Sequence, residues 1–75
     1  MHVQLLVTKN DFCLPNLKRE FDDLDIDYTV EFIEEHPELV SQHKIRHSPN
    51  ILVDGEVVFK HQPTQWELKT YFAAG

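Results

Sequence analysis

One cysteine, Cys13, is all the thiol chemistry this chain has. A single thiol cannot close an internal disulfide, so a disulfide-stapled scaffold is excluded, and so is a zinc cluster built on cysteines. Long apolar runs are missing too: none approaches the roughly 20 residues that a membrane-spanning helix needs. Positive charge is scarce. Seven Lys and Arg stand against thirteen Asp and Glu, a net charge of −6, which argues against nucleic acid and anionic membranes as partners. The start of the chain has no basic segment followed by an apolar one, so no signal peptide is expected and a cytoplasmic protein is the expectation.

What is present describes an ordinary globular chain. At 41% hydrophobic and 27% charged, its 75 residues read as a single domain spanning 1–75. Val3-Gln4-Leu5-Leu6-Val7 is a short apolar run of strand formers, suited to a strand buried on both faces. Thr8 to Asp11 is a polar loop. A helix follows from about Cys13 or Leu14 to Leu24, with Leu17, Phe21 and Leu24 on one stripe. Asp22, Asp23, Asp25 and Asp27 form an acidic end, read as a solvated turn. Tyr28 to Ile33 alternates as a strand does. Pro37 fits the first turn of a second helix, which runs through Leu39, Val40 and His43, with Ile45 as a core anchor.

Asp54-Gly55 lies between Ile51-Leu52-Val53 and Val57-Val58-Phe59. This is a hairpin signal, because a type I′ turn needs positive φ at both central residues. Thr64 and Glu67 match a capping box, in which each side chain bonds the other's backbone N–H. A last helix follows to about Phe72, with Leu68, Tyr71 and Phe72 expected inward, Trp66 partly covering the core, and a frayed end at Ala73-Ala74-Gly75. The order is strand, helix, strand, helix, strand, strand, helix. The helix joining the first two strands makes them parallel, with a right-handed crossover.

Cys13 stands where the first strand has passed through a loop into a helix. The first N–H groups of a helix lack intrahelical partners and the dipole is positive there, which favours the thiolate. Pro15 suits the first turn, where its missing N–H costs nothing. Phe12-Cys13-Leu14-Pro15-Asn16 resembles the thioredoxin active-site pattern of aromatic, Cys, Gly, Pro, Cys. Leu14 replaces the glycine, and Asn16 replaces the resolving cysteine. The order of elements resembles the thioredoxin-like fold in its small, glutaredoxin-sized form, and the likeness covers nearly the whole chain. It implies an α/β domain with a four-stranded mixed sheet flanked by three helices. It also implies that Ser48-Pro49, just before the third strand, is the family's cis-proline loop, packed beside the attacking sulfur.

The resemblance carries a function with it. With one cysteine, thiol–disulfide exchange must pass through a mixed disulfide that an external thiol resolves. Glutathione is the co-substrate implied, with no tightly bound cofactor, and the partners implied are disulfide-bearing or glutathionylated proteins or small thiols. Lys9, Ser48 and Pro49 stand nearest to the family's glutathione contacts, although Lys9 lies a little far upstream. Lys60-His61-Gln62-Pro63-Thr64 lacks the family's acidic pair before the last helix. Phe12, Leu14, Pro15 and Asn16 are the candidate substrate groove. Asn16 is equally an ordinary surface residue or a donor to the sulfur. His47 reads as a solvated loop histidine or, less simply, as a cation lowering the thiol pKa. His43 and His47 are four apart but leave the helix before they can share a face, and no third ligand accompanies them, so no metal site is expected. A monomer is expected. The alternative to exchange is a catalytically inactive thioredoxin-like protein-binding module, in which Phe12, Leu14 and the Pro49 loop form a peptide groove and Cys13 is a small packed residue.

Overall fold

A computed structural model describes residues 1–73 and sets their elements in this order: β1 (Val3–Val7), α1 (Leu14–Asp23), β2 (Thr29–Phe32), a 3₁₀ turn (Ile33–Glu35), α2 (Pro37–His43), β3 (Asn50–Val53), β4 (Glu56–Phe59) and α3 (Gln65–Ala73). The expected order is met element for element, and boundaries differ by a residue or two. Of the anticipated frayed end, Ala73 belongs to α3, while Ala74 and Gly75 lie outside the described residues.

The four strands form one mixed sheet in the order β2-β1-β3-β4. β1 pairs parallel with β2, Leu5 opposite Val30, and antiparallel with β3, Leu5 opposite Ile51. β3 and β4 are antiparallel, with a break in register beside Ile51 and Leu52. That break lets Ile51 face Phe59 and Leu52 face Val57, so Val58 is the extra residue of a bulge. The central strands are apolar on both faces because both faces are covered. Val3, Leu5, Ile51 and Val53 pack with Leu17 and Phe21 of α1 and Leu68 of α3. Leu6 and Leu52 point the other way and pack with Ile45, against Leu39 and Val40 of α2. Alternation along a strand thus serves two cores, and the molecule has three layers.

Local signals account for the element ends. Asp25 adopts φ 56° just past α1, and Lys44 adopts φ 54° to end α2. Asp54 and Gly55 have φ 51° and 86°, the pair a type I′ turn requires. Asp54 also holds the start of β1, accepting the His2 N–H at 2.8 Å and donating its own N–H to the His2 carbonyl at 2.8 Å. The capping box forms in both directions: the Glu67 N–H reaches Thr64 Oγ1 at 3.1 Å, and the Thr64 N–H reaches Glu67 Oε1 at 2.9 Å.

Two residues of α3 depart from expectation. Tyr71 is 41% exposed and meets Phe59 and Phe72 edge-on, with ring centroids 5.7 and 5.0 Å apart. Trp66 is 72% exposed and covers little of the core. Helical spacing explains both. Leu68 and Phe72, four apart, own the inward stripe, which leaves Tyr71 on its flank and puts Trp66 on the opposite side. No helix among the described residues is long and apolar enough to cross a membrane.

Candidate functional site

The loop between β1 and α1 is a succession of tight turns. The Asp11 N–H bonds the Thr8 carbonyl at 3.2 Å, and the Leu14 N–H bonds the Asp11 carbonyl at 3.3 Å. Cys13 is the residue from which α1 starts: its carbonyl accepts the Leu17 N–H at 2.9 Å, and Pro15 sits in the first turn. Cys13 is half-buried and carries a free thiol. Phe12 before it is 95% exposed. Leu14 packs against the α1 core, and Pro15 and Asn16 are exposed.

Asp11 is the residue that assembles the site, and the sequence reading passed over it. One of its carboxylate oxygens accepts the Cys13 N–H at 2.7 Å. The other accepts the hydroxyl of Ser48, and that hydroxyl in turn accepts the Thr8 N–H at 3.0 Å. A single carboxylate therefore ties the cysteine loop to the Ser48–Pro49 loop across 37 positions of sequence. The Ser48–Pro49 peptide bond is cis, as the resemblance implies. Pro49 and Asn50 are buried, and the Asn50 side chain donates to the carbonyls of His47 and Leu6, which fixes the loop from below. A signal for Asp11 was available: an Asp two residues before a helix start commonly turns the chain by accepting a nearby N–H.

The same carboxylate corrects the expectation of an activated thiolate. Partial burial, then the Asp11 charge and its hydrogen bond, push the Cys13 thiol above its ordinary value. Burial disfavours the charged thiolate first, and the Asp11 carboxylate beside it then opposes the helix end, which acts as only about half a positive charge. His47 is exposed and is not among the groups that shift Cys13.

Lys9 and Ser48, two of the residues expected to hold glutathione, already have partners within the chain. The Lys9 ammonium pairs with Glu35 at 3.1 Å, and its backbone N–H faces the Glu34 carboxylate at 3.1 and 3.2 Å, so its charge is already met. Ser48 is engaged by Asp11 and Thr8. Among the described residues, no group of three or more His, Cys, Asp or Glu is placed to hold a metal. A hollow of about 560 Å³ lined by Leu24, Ile26, Leu68 and Phe72 lies at the far end of α1 from Cys13. The chain matches no protein-family model, no curated protein and no solved structure.

Proposed function

We propose that the chain is a thioredoxin-like domain that carries out thiol–disulfide exchange through Cys13 alone, with an external thiol completing each turnover. The observation that carries the reading is the tie made by Asp11, which links the backbone of Cys13, a half-buried residue at the start of α1, to the Ser48–Pro49 loop. In the first step the Cys13 thiolate attacks one sulfur of a disulfide. A new S–S bond forms, the old one breaks, and the departing thiolate takes a proton from solvent. In the second step an external thiolate attacks the substrate-derived sulfur of the mixed disulfide, forms a disulfide with it and releases Cys13 as the thiolate. Glutathione is the small thiol proposed for this role, meeting the protein through the Ser48–Pro49 main chain and not through Lys9. The substrate surface is the exposed apolar edge of Phe12 with Leu14, Pro15 and Asn16. A monomer in a reducing compartment such as the cytoplasm suits a lone free thiol.

The raised thiol pKa sets the rate. Little thiolate exists at neutral pH, so exchange is slow there and speeds up as pH rises through the thiol range. The same observation favours one second reading, a binding module whose Phe12 edge takes an extended peptide while Cys13 stays inert. The alkylation rate of Cys13 by iodoacetamide, measured across pH, separates the two. A rate that climbs to a plateau above the ordinary thiol range, with glutathione-dependent reduction of a model disulfide that Cys13→Ser abolishes, supports exchange. A thiol that stays unreactive at every pH, or a Cys13→Ser protein that reduces the disulfide equally well, sinks exchange and leaves the binding module.

A further inference from the structure

Three of the chain's seven cations are gathered in one place. Lys44, Arg46 and Lys60 line one open pocket of about 330 Å³ together with Ile45, His47 and Asn50. No acidic residue lines it. Among the described residues, none of the three cations makes an ion pair; the pairs that form involve Lys9, His36 and His61. The same holds for Lys18, Arg19 and Lys69, so what sets the pocket apart is that three like charges, which repel one another, are brought together with no acid between them.

Local backbone geometry brings them together. Lys44 ends α2 in the left-handed conformation, which turns the chain so that Ile45 is buried and Arg46 and His47 are exposed. Lys60 follows Phe59, whose partner across the sheet is Ile51, so it arrives beside Asn50. The buried Asn50 side chain bonds the His47 carbonyl and stiffens the rim.

We infer that this pocket binds the phosphate end of a small molecule that carries a diphosphate. Three positive charges lining one pocket attract a multiply charged anion more strongly than a single carboxylate. The planar Arg46 fork suits two phosphate oxygens at once, and the two lysines supply compact charges to the rest. The assignment does not depend on Cys13 chemistry, so the two stand or fall separately.

Inorganic pyrophosphate is the probe, titrated at low salt into the isotope-labelled protein while backbone amide shifts are followed. The expected result is a saturable shift confined to residues 44–50 and 60, absent when sodium chloride is added to the same ionic strength. Removing each cation should weaken binding about threefold, the size expected of an exposed charge pair, so Lys44→Gln, Arg46→Gln and Lys60→Gln together should cost about thirtyfold. All three side chains are exposed, and an unchanged circular dichroism spectrum verifies that the variant still folds. Shifts that follow ionic strength alone, or a folded triple variant that binds within about twofold of the parent, overturn the inference. A phosphoserine peptide that binds more tightly than pyrophosphate overturns the small-molecule assignment.

Discussion

Asp11 does two things to Cys13 that pull in different directions. It fixes the backbone from which the thiol projects, and its charge adds to burial in raising the thiol's pKa. Asp11→Asn separates these effects. The amide oxygen still accepts the Cys13 N–H, while the negative charge is gone. The variant should therefore show faster iodoacetamide modification at pH 7 than the parent, with the thiol titrating lower. An unchanged rate would mean that burial alone governs the sulfur. Stability follows the same group. Because the folded thiol holds its proton above the ordinary range, its contribution is complete below that range and is lost as pH rises through it. The sequence reading singled out Cys13 and Pro15 by their place at the helix start and Pro49 by the thioredoxin-like resemblance, but not Asp11, because a carboxylate's partners depend on a loop brought in from residue 48.

Elements were the most legible scale, because each end carries its own local chemistry. Asp54-Gly55 demanded a turn and formed one, and Thr64 and Glu67 formed the reciprocal cap. Thr64→Ala leaves the Glu67 N–H without its side-chain acceptor and should cost about 1 kcal/mol. Urea unfolding should show a lower midpoint with an unchanged slope; a midpoint that does not move would mean that α3 is held by Leu68 and Phe72 alone. The bulge at Val58 had no local signal. Val57-Val58-Phe59 reads as a regular strand, and only pairing with β3 reveals the extra residue.

At the scale of the whole molecule, the sheet is the wall between two unequal cores. The larger holds Phe21 at its centre, fully buried, with Tyr28 and Phe72 edge-on at 5.6 and 5.9 Å between ring centroids. Phe21→Ala should cost about 3–5 kcal/mol. That is a large share of the total stability, about 5–15 kcal/mol, of a typical domain, and a chain this short sits at the low end. Thermal unfolding followed by circular dichroism should show the variant largely unfolded at 37 °C, and a fall in midpoint of only a few degrees would mean that the core closes over the gap. The layering was readable from the continuous apolar runs of β1 and β3, which make sense only if both faces are covered. The exposure of Trp66 and Tyr71 was not, since a short helix with aromatics on several sides does not declare which of them the sheet will claim.

The place of Trp66 decides how this protein can be watched. It is the chain's one tryptophan, and it stands in water on the outer side of α3. Its exposure predicts the emission of a solvated indole already in the native state, so unfolding should scarcely change its colour. The same isolation makes it a quiet background lamp: a quencher or an energy acceptor carried by whatever docks on α3 would dim it without any confusion from the core.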